Sequence, residues 1–360
     1  MATLPVTPQN ILNVIRQNSD DYWKNNIPEA TKTNFVQVGQ AITKDKNLMN
    51  SFISSLINKI AESHIKSKIF NNPLALLKGS GVPYGATIEE IFINPVVGTQ
   101  FNNDPSLLLK QNRPDSKTAY YTMNRQSTFP ITVDRAEVRQ AFKSETDFMT
   151  FYNAKISALY SGDNIQEFHL MKNLFGRTID AGGMQVINAD ISEPKELSKS
   201  ITKMSKNFKY DNTAFCGYNL VNTFGESDKK CVTFCEPQDQ CLIITSDAIT
   251  EIGYEVLASM YNKDVAEITA MTIEVDAFPS NGFEIYAVLC DKSAVQVRDV
   301  EFCIEEQNIG SALKHNFWLH HFQHMYISMF ANCVAFGKKK EAIPEATSEI
   351  EVSEIETPQK

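Results

Sequence analysis

Residues 83–142 read PYGATIEEIFINPVVGTQFNNDPSLLLKQNRPDSKTAYYTMNRQSTFPITVDRAEVRQAF, and the architecture turns on this stretch. Ile88, Ile91, Ile93, Val96 and Val97 form one strand-like run; Ala119, Tyr120, Tyr121, Phe129, Ile131 and Val133 form another. Both are rich in the β-branched and aromatic side chains that suit a pleated surface. Between them Asn102 to Lys117 is polar and turn-rich, and no helical pattern interrupts to cover either face. The pattern predicts an extended hairpin that projects from a body. A lone two-stranded ribbon is marginal in water and leaves its edges open, so its stability calls for the surface of a neighbouring subunit.

Working outward, Ser144 is the expected N-cap of a strong helix, with Asp147 three residues on and Phe148, Phe151, Tyr152, Ile156 and Leu159 as its apolar stripe. Gly162 and Asp163 interrupt the pattern, which resumes at Ile165, Phe168, Met171, Leu174 and Phe175 and stops at Gly176. Either one bent helix or two in series satisfies that spacing. A further helix is expected from about Pro194 to Phe208. Beyond it, a strand at Cys241 to Ile244, a helix from Asp247 to Tyr261, alternation through Met271, Ile273, Val275 and Ala277, and strands at Phe283 to Cys290 and Val295 to Ile304 predict an α+β unit with largely antiparallel pairing. Asn316 to Phe336 is strand-like and aromatic.

Upstream, Thr7 and Pro8 start a helix through Ile11, Leu12 and Ile15, and Leu48, Phe52, Ser55, Leu56 and Ile60 mark another. Short amphipathic helices joined by Asn- and Lys-rich connectors bury little against one another, so residues 1–82 are expected to lie along another surface as an arm.

The chain has 360 residues, 42% of them hydrophobic, enough to bury a sizeable core. Its net charge is -9, but Glu341 to Lys360 holds six Glu and one Lys, which leaves only -4 for the body. Such a body lacks the concentrated positive field of a DNA reader. The last residues, 338–360, are expected to be a disordered acidic tail. Seven cysteines, an odd number scattered through apolar runs, suit reduced thiols in a cytosol. No basic n-region precedes an apolar stretch at Met1, and the longest nearly apolar run, Met325 to Phe336, is too short to cross a bilayer.

Motifs that carry chemistry are weak. Gly79, Gly81 and Gly85 resemble a phosphate loop, but no Lys followed by Ser or Thr comes after them and a strand follows where a helix should begin, so a turn into the hairpin is the better reading. Cys231, Cys235 and Cys241 with His320, His321 and His324 offer zinc-ligand types without the paired two-residue spacing of zinc modules. A zinc enzyme on Cys231, Cys235 and His324 is thus a distant alternative. Glu89 with Glu90, and Glu305 with Glu306, sit side by side, and neighbours in a strand point to opposite faces, which rules out joint acid-base work. No Gly-x-Ser-x-Gly elbow or His-Glu-x-x-His helix occurs. No catalytic, cofactor or metal residue is assigned.

The hairpin differs in charge. From Asn102 to Lys143, Lys110, Arg113, Lys117, Arg125, Arg135, Arg139 and Lys143 outnumber Asp104, Asp115, Asp134 and Glu137 in a chain that is otherwise acidic. A basic projection on an acidic body suits complementary contacts between copies. Arg113, Lys117, Arg125, Arg135, Arg139, Glu89 and Glu90 are the expected inter-subunit contacts.

In this order the elements resemble the Hong Kong 97-like fold of tailed-phage major capsid proteins. More specifically, Asn71-Asn72-Pro73-Leu74, Pro83 to Phe92 (PYGATIEEIF), Asn124-Arg125-Gln126 and Phe330 to Phe336 (FANCVAF) look like the corresponding stretches of small podoviruses of the Salasmaviridae and Picovirinae type, in consistent order from Thr7 to Phe336. The resemblance implies an N-terminal arm (1–82), an extended loop (83–142), a peripheral domain with a spine helix (143–218 and 301–337) and an axial domain (219–300). It further implies a non-enzymatic subunit of pentamers and hexamers in an icosahedral shell. The shell would enclose double-stranded DNA, with a scaffolding protein and a portal at one vertex as partners, no membrane, and assembly in the host bacterial cytoplasm. The immunoglobulin-like surface domain of some relatives has no counterpart after the last strand, and the cross-linking Lys and Asn of other members cannot be matched. Another phage structural protein, of decoration or tail, is the alternative within the same class.

Overall fold

The computed structural model describes residues 7–60, 70–83, 85, 87–101, 111, 113–222, 229–253 and 272–340. The polar excursion at 102–110 with Asp104 and Lys110, the continuation of the helix through 254–261, Met271 and the tail at 341–360 lie outside them.

One helix organises the molecule. Helix α6 (Glu145–Asp180) runs unbroken for 36 residues, roughly 54 Å at 1.5 Å per residue. Ser144 Oγ accepts the Asp147 amide at 3.0 Å, the expected N-cap. Neither glycine ends it. The stop comes at Gly182, at φ +73°, whose amide donates to the Ile179 carbonyl at 3.0 Å while Gly183 donates to Thr178 at 2.9 Å. Gly176 is there for packing: a Cβ added to it would collide with the Pro279 carbonyl. Gly162 faces only the Phe129 ring at 3.6 Å.

The N-terminal residues correct the expectation of an arm. Helices α1 (Pro8–Asn18), α2 (Asp21–Asn26), α3 (Phe35–Lys44) and α4 (Lys46–Ile60), with α5 (Arg135–Ala141) and the start of α6, share one core. Its centre is aromatic: Phe142 lies 6.0 Å from Phe35, 5.1 Å from Phe52 and 5.4 Å from Phe148 between ring centroids. Trp23 is buried beneath them and its indole donates to the Leu48 carbonyl at 3.4 Å. Each helix alone buries little, as argued from its length, but α5 and α6 supply the common surface that the periodicity of the first sixty residues cannot show.

Residues 83–142 also divide differently. Strands β1 (Ile88–Ile93) and β2 (Ser116–Tyr121) pair antiparallel from Ile88↔Tyr121 to Ile93↔Ser116 and form the hairpin. Strand β3 (Arg125–Asp134) is not part of it. It pairs with β9 (Lys314–Ile327), which pairs with β8 (Val295–Ile309), in a three-stranded antiparallel sheet. The partner lies some 190 residues downstream by register, Arg125↔Gln323, a distance that local patterning cannot report.

The second sheet has the order β4-β10-β7-β5-β6, from β4 (Gln185–Asn188), β5 (Gln240–Thr245), β6 (Thr272–Val275), β7 (Phe283–Asp291) and β10 (Cys333–Lys339). Its β4–β10 and β5–β6 pairs are parallel and the others antiparallel. Cys241 and Ile243 face the second half of α6 with Met171, Phe175 and Ile179; Leu242 and Ile244 face α7 (Pro194–Phe208) and α9 (Ser246–Ile252). Both faces are covered, which is why β5 is buried throughout and apolar from Cys241 to Ile244. A short helix α8 (Gly217–Val221) sits beside this layer. Because β4 and β10 join β5–β7 in one sheet, and β8 runs continuously past residue 300, the expected boundaries at 219, 300 and 337 do not coincide with the sheet.

At the middle of α6 a buried charge cluster ties the layers together. Arg125, 3% exposed at the start of β3, places Nη2 2.5 Å from Asp163 Oδ1 and Nη1 3.5 Å from Glu167 Oε2. Gln323 accepts from Arg125 at 2.5 Å and donates to Glu167 at 2.7 Å and Asp299 at 2.5 Å. Lys78 reaches Glu167 at 2.9 Å and Asp299 at 3.2 Å, and Asn72 donates to Glu167 Oε1 at 2.9 Å. The two nitrogens of His321 face Asp163 at 2.8 Å and Asp299 at 3.1 Å. Carboxylates only accept, so both contacts are satisfied when the imidazole is protonated. Three cations then match three anions.

Burial pulls the His321 pKa down, but hydrogen bonds to Asp163 and Asp299 outweigh it and the net direction is up. Burial raises Asp299, but the hydrogen bonds from His321 and Gln323 and the Lys78 charge hold it well below the usual carboxylate range.

Two outcomes are expected for the isolated chain. Chemical unfolding should show Gly176→Ala losing about 1–3 kcal/mol through overpacking, while Gly162→Ala holds or gains up to about 1 kcal/mol through helix propensity; equal effects would deny the close approach at Gly176. The second concerns pH. A raised His321 contributes stability that is full below its unfolded value near ~6.5 and is lost as pH rises through the folded value. The lowered Asp299 contributes above its unfolded value near ~3.9 and loses it as pH falls. Thermal midpoints should therefore plateau between roughly pH 4 and 6.5 and decline toward pH 9, and His321→Asn should flatten that decline. A superimposable profile from the variant would remove His321 as the linked group.

Candidate assembly surface

The two faces of the hairpin differ in kind. Along β1 the side chains alternate, Ile88, Glu90 and Phe92 half-buried against the body and Glu89, Ile91 and Ile93 exposed; along β2, Lys117, Ala119 and Tyr121 turn in and Ser116, Thr118 and Tyr120 turn out.

The inner face is docked. Tyr121 stacks on Tyr326 at 3.7 Å between centroids and 11° between planes, and Phe92 stacks on Phe330 at 5.5 Å. The Tyr121 hydroxyl donates to Glu90 Oε2 at 2.9 Å and accepts the Met329 amide at 3.1 Å, while Ser328 donates to Glu90 Oε1 at 2.7 Å. Burial first, then the neighbouring Glu90, pushes the Tyr121 phenol upward, so it remains a donor at ordinary pH. Farther out, Asn94 donates to the Lys230 carbonyl and accepts the Val232 amide, both at 3.0 Å. Asn124, just before β3, completes the root: its side chain donates to the Met325 carbonyl at 2.7 Å and accepts the Met325 amide at 2.9 Å.

The outer face carries large uncovered apolar side chains beside the polar Glu89, Ser116 and Thr118. Ile91 and Ile93 are 58% and 59% exposed, Tyr120 66%, Val96 80%, Val97 86% and Phe101 95%. Six of the sixteen exposed large hydrophobics among the described residues thus belong to this one projection. Large apolar side chains gathered on one projection mark a contact surface, whereas scattered single residues would not.

The expected contact residues separate into three groups. Arg113, Arg139 and Glu89 are exposed. Lys117 and Glu90 turn inward, Lys117 to Asp115 at 2.7 Å and Glu90 to Tyr121 and Ser328. Arg125 and Arg135 are buried, 3% and 7% exposed, Arg125 in the charge cluster and Arg135 donating to Asn50 at 2.7 Å. These two correct the basic-projection reading, because a cation enclosed by its own chain has no face to offer another copy. The apolar strip was present in the sequence reading as Ile91, Ile93, Val96 and Val97, but alternation alone does not tell which side of a ribbon meets the body.

The metal-ligand types do not converge as a zinc site would require. Cys231 packs with Cys216 and Phe330, Cys235 lies in the layer under α7, and Cys241 faces α6, so the three cysteines face three different cores. Hydrogen bonding to Cys216 and then burial push the Cys231 thiol up; burial does the same first for Cys235 and Cys241, so all three stay protonated. His320 pairs with Thr128 at 3.0 Å, and His324 is buried on the same strand. Among the described residues, Glu167, Asp299 and His321 do converge. Their acceptor atoms already meet Lys78, Arg125 and Gln323.

Comparison with known proteins agrees with this geometry. The profile of the family described as Phi29-like phage major capsid protein matches residues 12–337. The major capsid protein of Bacillus phage PZA is 29% identical over 331 residues, 91% of this chain and 72% of that protein. That of Streptococcus phage Cp-1 is 24% identical over 348 residues, 89% of this chain and 92% of the other. In the capsid structure of Staphylococcus phage Andhra, a chain only 14% identical superposes with a TM-score of 0.62 over 77% of this chain and 88% of its own length, a likeness of fold. The architecture is the Hong Kong 97-like one, α+β as the sequence predicts. With a helix-backed sheet, a docked hairpin that leaves an apolar face outward, and a family match over nearly the whole length, the chain belongs to the Phi29-like phage major capsid proteins of tailed phages.

Proposed function

We propose that this subunit closes pentamers and hexamers of an icosahedral shell by laying the outer face of its hairpin on the next copy. The observation that carries the reading is the exposed strip from Ile91 to Phe101 with Tyr120 on a ribbon whose root is held by Asn124, Tyr121 and Glu90. A rigid projection that meets a different patch on its neighbour makes a heterologous contact, and such contacts generate closed rings. An obligate interface of this type buries more than ~2,000 Å² per pair, which an extended ribbon can reach. Glu89 and Arg113, the exposed charges of the expected set that lie on the hairpin, would fix register at its rim, while Arg139 is exposed on α5.

In this reading the five-stranded sheet with α7 and α9 is the axial domain, and α6 with the three-stranded sheet is the peripheral domain. The helices of the first sixty residues join the peripheral body. The role is structural and not enzymatic. A scaffolding protein and a portal at one vertex are the partners the family resemblance implies. The net charge of -9 supports enclosure of double-stranded DNA without sequence-specific grip. Among the described residues no helix is long and apolar enough to cross a membrane, and the thiols are free, which supports assembly in the reducing cytoplasm of the host.

The test is Val96→Asp with Val97→Asp and Phe101→Asp. All three side chains are exposed, so the isolated subunit should keep its circular dichroism and melt within about 1–2 °C of the parent, surface changes being close to neutral. Sedimentation and electron microscopy should then find no shells. Normal particles from the triple variant would take the hairpin out of the assembly interface.

A further inference from the structure

Helix α7 carries a second unpartnered face, of opposite character. Lys195, Lys199, Lys203 and Lys206, with Lys209 at the C-cap, are all exposed, while Leu197, Ile201 and Phe208 are buried on the other side. Steps of four, four, three and three residues set the five ammonium groups within about a third of the helix circumference at 3.6 residues per turn. Among the described residues only Lys199 has a carboxylate partner, Glu196 at 2.6 Å. Like charges at these spacings repel and weaken a helix. Such a face in a chain of net charge -9 calls for an anionic counterpart.

The chain carries one. Residues 341–360 hold six Glu and one Lys. Where they begin is determined by the sheet. The Lys340 amide donates to Gly282 at 2.9 Å and its ammonium to the Ser280 carbonyl at 2.6 Å. Strand β10 runs parallel beside β4, with Gly337 opposite Asn188, and Lys338 Nζ lies 3.7 Å from Asp190, four residues before α7 starts. The acidic segment therefore leaves the sheet at the same end where the chain turns into α7. Twenty residues extend to roughly 66 Å, against about 22 Å for the helix. The surface next to the exit turns the segment away, since the groove beside Lys340 is lined by Asp247, Glu251, Asp276 and Glu284.

We propose that the acidic segment 341–360 docks along the lysine face of α7 in the same chain. Each exposed ion pair is weak by itself. The tether supplies an effective concentration in the millimolar range, so several weak pairs act together. The contact fades with salt, because exposed charges are screened beyond ~8–10 Å at moderate ionic strength.

The experiment uses full-length protein, mixed from ¹⁴N- and ¹⁵N-labelled preparations, and a zero-length carbodiimide that joins a carboxylate to an amine only at contact. Mass spectrometry should find same-isotope links from Glu345, Glu349, Glu351 or Glu354 to Lys199, Lys203 or Lys206. They should fall at least about fivefold in ~0.5 M NaCl and in K199E/K203E/K206E, whose positions are exposed and whose circular dichroism should be unchanged. Adding E345K/E349K/E351K to that variant should restore the links in reversed polarity. Links mainly to lysines outside α7 would overturn the proposal, as would links of mixed isotope, which place a neighbouring copy on the face. So would duplex DNA that shields these lysines from acetylation equally with and without residues 341–360, which makes nucleic acid the occupant.

Discussion

Arg125, Lys78 and His321 meet Asp163, Glu167 and Asp299 where α6 passes from one core to the other, and the remaining layers are placed by that meeting. Taking Arg125, Asp163, Glu167 and His321 out of water costs more than any single pair returns, so the cluster holds only when their oxygens and N–H groups find partners, Lys78 and Asp299 closing it at a partly exposed edge. Gln323 is the piece that makes this possible, since its amide donates to two carboxylates and accepts from the guanidinium. The result is directional. β3, β8, β9, the segment after Pro73 and the spine helix each contribute at least one member, and a shift of any layer would leave a buried charge alone, a loss of about 3–5 kcal/mol. Apolar packing on either side of the cluster is less particular about angle.

The same cluster explains how the hairpin can be both rigid and greasy. Arg125 follows directly on Asn124, which two residues join to β2, so the ribbon leaves the body from an anchored root. Its inner face is held by stacked rings and by Glu90. The period of two then sends Ile91, Ile93 and Tyr120 the other way. A projection already fixed in direction loses little freedom when a neighbour covers it, and that preorganisation lets an apolar strip act as a specific contact.

α6 is the single-helix alternative at Gly162, and only the stop expected at Gly176 misled. Gly162 and Gly176 look like breaks because glycine disfavours a helix interior. Around Asp163 and Glu167 the stripe does change, since the helix stops facing the aromatic cluster of Phe52 and Phe148 and starts facing the sheet with Met171 and Phe175. The interruption in the pattern was real, but it marked a change of partner and not an end of the helix.

Local structure was therefore legible. The caps at Thr7 and Ser144, the helix α7, the apolar strand Cys241 to Ile244, the strand character of 88–93 and 119–121 and the resemblance to capsid proteins all stand in the structure or the family match. These features depend on neighbours within a few residues, whose geometry a sequence states directly. What the tertiary structure alone decided was partnership: that the first four helices share a core with α5 and α6, that β3 belongs to β9, that β10 joins the sheet of β5 and β7, and that Arg125 and Arg135 are enclosed while Val96 and Val97 are bare. Periodicity reports that a face is covered but not by what, and a residue's charge does not report whether water can reach it. Both are set by contacts between segments far apart in the chain, and those exist only once it has folded.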